Sequence, residues 1–146
     1  MSHRTLITPD HPGVRRLAAA VIAGEIGLPW AVQADQVCRG GSAATPSSLF
    51  TDAVAAVRAV LGLAVHSVAA RGTGWDEADD HGVLTATVIF EHGVAASITV
   101  SRIAAPGLDE ARLRVMGNEG VLVADLARPA VLLDGGAALR SYGPEP

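Results

Sequence analysis

The sequence predicts an α+β fold: an open-faced, predominantly antiparallel or mixed β-sheet with two or so helices packed on one face. Three observations lead there. Two segments near the N-terminus carry apolar residues at three- and four-residue steps, so each lays one helical face on a core. From about Ala64 onward the pattern turns to strand-like alternation broken by glycine-bearing turns, which reads as hairpin-linked strands. Hydrophobic residues make up 49% of the chain but aromatics only 3%, so the core has to be built from Ala, Val, Leu and Ile through many small contacts. A length of 146 residues suits one domain, with residues 1–10 as a polar lead-in and 11–142 as the folded part.

The first helix places Val14, Leu17, Ala18, Val21 and Ile22 on one face. Asp10 is positioned to cap it, and Pro12 falls in the first turn, where its missing N–H costs nothing. Gly24 and Gly27 end it. Arg15-Arg16 ahead of Leu17–Gly24 mimics a short signal sequence, but Glu25 interrupts the apolar run, and an amphipathic helix is the reading. Leu28–Cys38 alternates as a strand, with Trp30, Val32 and Ala34 on one side and Gln33 and Asp35 on the other. A loop over Arg39–Thr45 follows. Thr45 caps the second helix, Pro46 takes its first position, and Gly62 stops it. Its inner face is expected at Phe50, Ala53, Val54, Val57, Val60 and Leu61.

Strands are then expected over residues 64–70, 83–90, 94–102, 111–116 and 121–125, with weaker ones at 130–133 and 137–140. With Leu28–Cys38 these are six firm segments and two weak ones, and a sheet of six or seven strands is expected. His92-Gly93 suits a tight hairpin turn, glycine supplying the positive φ. Leu84, Ala86, Val88 and Phe90 point one way from their strand, and Val83, Thr85, Thr87 and Ile89 the other. Two helices cover only one side of such a sheet. The side dressed in Thr, Ser, Ala, Val and Ile is expected to take a partner, and a homodimer through that face is the simplest. The alternative is a Thr-rich face in water.

Composition excludes several partners. All eleven basic residues are Arg, set against fifteen acids for a net charge of −4, with no basic stripe, so nucleic acid is not expected. No apolar run approaches the roughly 20 residues of a membrane span. Cys38 is the only cysteine, which rules out an internal disulfide and a cysteine-based zinc site and fits a cytoplasmic location.

Isolated candidates for chemistry have plainer readings. Asp76, Glu77, Asp79, Asp80 and His81, beside Trp75, form the densest acidic cluster, but they lack the spacing and glycine of a calcium loop and read as a solvated loop. No metal site is expected. His66 lies in an apolar strand and reads as a core or sheet-face residue. His92 belongs at an exposed turn tip, and His11, in the first helix's opening turn, has no evident acidic partner. Ser42, Ser47, Ser48 and Thr51 lack a Gly-x-Ser-x-Gly elbow and are explained by capping. Arg39 would lower the pKa of an exposed Cys38, but a small buried filler is the simpler role.

The order of these features resembles the C-terminal domain of the Gfo/Idh/MocA oxidoreductases. A helix ends in Ala23-Gly-Glu-Ile-Gly-Leu-Pro29, and a strand leads through Gly40-Gly41 to a helix carrying Asp52 and closing at Leu61-Gly62. An acidic loop with Asp79-Asp80 follows, then Phe90-Glu-His-Gly93 between strands that close at Ser101. Last comes Leu113-Arg-Val-Met-Gly-Asn-Glu-Gly-Val-Leu122. The resemblance covers residues 11 to about 135. It implies a domain whose sheet borders substrate on one side and makes oligomers through its open face, while a Rossmann domain holds NAD or NADP.

Two departures matter. These residues contain no G-x-G-x-x-G loop and no lysine, so no cofactor is expected on this chain alone, and NAD(P) enters only through a Rossmann-domain partner protein. The resemblance also implies a histidine three residues before Asp52 to handle the substrate proton, and Leu49 stands there. Leucine carries no proton. Arg39, Ser48 and Asp52 flank the loop that resembles the family's substrate mouth, with Asp52 the one candidate for a catalytic role. The expected function is a pseudoenzyme module for oligomerisation and substrate binding. Alternatives are the substrate-binding subunit of a split NAD(P)-dependent oxidoreductase acting on a sugar or polyol, or a cofactor-free isomerase or lyase pairing Asp52 with His66 or His81.

Overall fold

A computed structural model of the chain describes residues 6–40, 45–73, 82–127, 130–135 and 138–142. The alternating segments join into one eight-stranded sheet, and both helices lie on the same face of it. In chain order the elements are α1 (Pro12–Ile22), β1 (Pro29–Cys38), α2 (Pro46–Leu61), β2 (Val65–Thr73), β3 (Gly82–Phe90), β4 (Ala95–Arg102), β5 (Glu110–Gly117), β6 (Val121–Asp125), β7 (Ala130–Gly135) and β8 (Ala138–Tyr142). The order across the sheet is β2-β3-β4-β1-β5-β6-β7-β8. β1 and β4 run parallel, and the other neighbours are antiparallel. The two weakly patterned C-terminal segments both pair, so the strand count exceeds the six or seven expected. A long crossover through α2, β2 and β3 is what permits the one parallel pair.

Alternation decides the buried face. Val32, Ala34 and Cys38 from β1, Leu84, Ala86, Val88 and Phe90 from β3, Ile98 and Val100 from β4, and Leu113 and Val115 from β5 all lie beneath the helices. Phe90 is the largest fully buried side chain, and alanines at 34, 53, 56, 86, 96 and 124 let helix and sheet approach closely. α2 packs across β4, β3 and β1, while α1 lies over β6 and β7 and against α2. On α2 the core row is Leu49, Ala53, Ala56, Val57 and Val60, with Phe50 and Val54 displaced to its flank.

Local signals fix the helix ends, with one correction. α2 begins at Thr45, whose Oγ1 accepts from Ser48 N–H at 3.1 Å while Ser48 Oγ accepts from Thr45 N–H at 3.1 Å. It ends at Gly62, with φ 67°. α1 is capped by His11 and not by Asp10, which is exposed. Pro12 at the first helical position forces the residue before it into extended backbone, and that residue is His11, at φ −65° and ψ 133°.

Two further positions depart from the sequence reading. Trp30 is 62% exposed, because a register shift between Pro29 and Ala31 takes it out of the inward row. Ile7 is fully buried within the supposed polar lead-in, its N–H donating to Gln36 Oε1 at 3.0 Å. Of the two places expected for His66, core or sheet face, it takes the second, exposed on edge strand β2. His92 does sit exposed at the hairpin turn, where both it and Gly93 are left-handed, at φ 65° and 77°.

Two of the sequence signatures meet in space. The turn after β5 docks on the segment between α1 and β1. Asn118 N–H donates to Leu28 O at 3.1 Å, Glu119 N–H to Ile26 O at 3.0 Å, and Leu28 N–H to Asn118 Oδ1 at 2.8 Å. Gly117 makes the approach possible, since a Cβ there would lie 2.2 Å from Ile26 O.

Candidate functional site

The three polar residues expected at a substrate mouth are held in different ways. Arg39 follows the last residue of β1, and its guanidinium donates to Glu110 Oε2 at 2.6 Å, while its N–H donates to Asp109 Oδ1 at 2.8 Å. Ser48 is exposed, and its hydroxyl is occupied within its own turn, donating to Thr45 O at 2.9 Å and closing the capping pair. Asp52 lies one turn further along α2, half-buried, and makes no hydrogen bond or ion pair among the described residues. Residues 41–44, which include Ser42, lie outside the described residues, as do Trp75, the acidic cluster and His81.

Leu49 is fully buried in the core row of α2. This position therefore faces the sheet and not a cleft, and a proton-handling side chain placed there would be sealed from substrate. Cys38 is likewise fully buried, with Gln36 Nε2 donating toward its Sγ at 3.3 Å, consistent with the filler reading. The alternation of β1 and β4 placed two inward positions that residue type alone pointed outward: Gln36 and Arg102 are 1% and 2% exposed.

The other face of the sheet has no helix over it among the described residues. Its cross-strand rows follow from the pairing register. One row reads Arg71, Thr85, Thr99, Asp35, Arg112, Asp125 from β2 to β6. The next reads Ala69, Thr87, Ser97, Gln33, Arg114, Val123. Small and hydroxyl side chains dominate the β3–β4 half, where Thr85 and Thr99 hydroxyls sit 3.5 Å apart. Charges gather along β1, β5 and β6. There a groove of about 720 Å³ runs beside the start of β5, lined among others by Leu6, Asp35, Asp109, Glu110, Arg112 and Asp125. A smaller apolar cleft of about 260 Å³ separates the ends of α1 and α2, between Ala18, Ile22, Ala59 and Leu61.

Neither helix presents a free N-terminus to an anion. The Thr45–Ser48 pair closes α2. On α1, Gly13 N–H donates to His11 Nδ1 at 2.9 Å, and the ring's other nitrogen, Nε2, lies 2.9 Å from Leu126 O. Because Nδ1 accepts, the proton sits on Nε2, which donates to that carbonyl. Burial pushes the ring's pKa down, against the raising effect of the bond to Leu126. A Cβ on Gly13 would lie 2.6 Å from a Leu126 methyl, so no pyrophosphate could seat against this turn. Both described helix N-termini are therefore closed to a pyrophosphate. Nor do the described residues bring together three His, Cys, Asp or Glu side chains able to hold a metal ion, and no described helix is long and apolar enough to cross a membrane.

No family model and no curated protein matches the chain by sequence. Solved structures do match by fold. An oxidoreductase from Sinorhizobium meliloti superposes with a TM-score of 0.71 at 22% identity, over 91% of this chain and 40% of that one. Levoglucosan dehydrogenase, in complex with NADH and levoglucosan, gives 0.73 at 16% identity over 91% and 44%. An inositol dehydrogenase homolog complexed with NAD+ from Azotobacter vinelandii gives 0.71 at 14% identity over 91% and 41%. The chain spans less than half the length of each. The likeness shows the fold, an α+β sheet domain that in these solved structures forms part of a larger oxidoreductase.

Proposed function

We propose that this chain serves as the sheet domain of a Gfo/Idh/MocA-type assembly, a module for self-association and substrate binding that is not catalytic by itself. The observation that carries the reading is the sheet's second face, broad and free of helices among the described residues, with β1, β3, β4, β5 and β6 alternating between a packed side and this open one. Two facts about the helices support it. Both N-termini are closed by their own side chains, and Leu49 turns the expected proton-handling position into the core. Fluorescence titration with NADH and NADPH, alongside sedimentation of the purified chain, tests this. Self-association without saturable nucleotide binding is the expected result. Turnover of a polyol by the chain and pyridine nucleotide with nothing else added would overturn it.

Asp52 favours a second reading. It is half-buried on α2, one turn beyond Ser48, and makes no hydrogen bond or ion pair among the described residues. It would serve if a Rossmann-bearing protein supplied the cofactor and this chain supplied a substrate wall with Asp52, Ser48 and Arg39. Asp52→Ala would then lower turnover in the reconstituted pair while leaving the melting temperature of this chain close to wild type.

A further inference from the structure

We infer that a second copy of this chain docks on the open face about a two-fold axis along the seam between β1 and β5, with Asp35 of each copy meeting the partner's Arg112. The inference rests on the reading of this face as an assembly surface and adds the residues that set its register.

The sheet order places four strands on each side of the β1–β5 seam. A half-turn about a line in that seam, parallel to the strands, lays β1 of one copy over β5 of the other and gives the fullest overlap of the two faces. The pairing register puts Asp35 opposite Arg112 and Gln33 opposite Arg114, all on the open face. One wall of the seam thus carries acceptors and the other carries guanidinium groups. The half-turn brings each wall onto its complement twice over, as a self-complementary interface requires. Packed sheets lie about 10 Å apart, a gap that a carboxylate and a guanidinium on facing strands can close.

Shifting the axis removes the match. An axis through β1 sets Asp35 against the partner's Asp35, and one through β5 sets Arg112 against the partner's Arg112. An axis between β5 and β6 would pair Arg112 with the partner's Asp125. That carboxylate already accepts from its own Ala127 N–H at 3.1 Å, and the sheets would overlap less. Asp35 and Arg112 are both exposed, and neither makes an ion pair among the described residues, whereas Glu110 is already held by Arg39. Like charges set opposite one another cost enough to reject a register, so the row selects one arrangement.

Sedimentation equilibrium on the wild type, Asp35→Arg, Arg112→Asp and an equimolar mixture of the two variants tests this, with circular dichroism melts to establish folding. A dimeric wild type is expected, each variant alone weakening the dimer by about tenfold or more in Kd. The mixture is expected to recover the dimer, because every introduced charge then meets its opposite across the seam. Within each chain the neighbouring charges remain alike, so recovery cannot come from folding. Variants that dimerise like the wild type would overturn the inference and leave the assembly reading standing, and so would variants whose mixture stays as weak as either alone. A monomeric wild type would overturn both.

Discussion

At His11 one proton decides whether a helix is capped. The ring accepts from Gly13 N–H only while Nδ1 is bare, and burial holds its pKa below the ordinary value of about 6.5. Acid therefore favours the unfolded chain. The stabilisation is complete above about pH 6.5 and is lost as pH falls from there towards the lower folded value. Denaturant melts across this range should show the slope in the wild type and lose it in His11→Asn, which caps without titrating. His11→Ala should cost about 1 kcal/mol at neutral pH. Leu49 tests the opposite residue-scale idea, that a missing histidine could be restored. Because the position is sealed in the core, Leu49→His should lose about 2–4 kcal/mol in urea melts and gain no activity. Composition said that Leu49 carries no proton, but only packing shows that no side chain there could deliver one.

At the scale of elements, alternation and capping chemistry carried far. The starts and ends of α2, β3 and β4 agree with the expected bounds to within a residue or so, because period and end signals there point the same way. Where they failed, a local constraint outweighed the pattern. Pro12 moved the cap from Asp10 to His11, and a register shift turned Trp30 outward. The glycines of Ala23–Pro29 and of the turn after β5 look like chemical signatures in one dimension, yet in three they are a clasp, backbone against backbone. Gly117→Ala should force Ile26 and Leu28 apart and destabilise by on the order of 2 kcal/mol, measurable as a lower urea midpoint at unchanged slope. A loss of that size without any change in self-association would place the clasp in folding alone.

For the whole molecule, the two faces of one strand should behave as different materials. Ile98 is fully buried under the helices, and Ser97, its neighbour in β4, faces the uncovered side. Ile98→Lys should prevent folding by burying an unpaired ammonium. Ser97→Lys should leave the melt within about 0.5 kcal/mol of wild type. It should also weaken self-association, read by sedimentation, because the half-turn about the β1–β5 seam sets this position against the partner's Val123. A Ser97→Lys chain that stays associated would move the interface elsewhere. The mouth expected from sequence is the least developed feature at this scale. Arg39 turns to Glu110 and Ser48 to its own helix turn, and Asp52 remains the residue whose surroundings leave it a role to play.

The residues by themselves determined which segments are helix and which are strand, which side of each strand is apolar, and that no dinucleotide loop lies among these 146 positions. Those properties are local, written in period, in caps and in residue type. Strand order, the single parallel pair, the burial of Leu49, Gln36 and Arg102, and the alignment of Asp35 with Arg112 across the middle of the sheet came only from the tertiary structure. They depend on which distant segments lie side by side, and alternation along one strand carries no information about its neighbour.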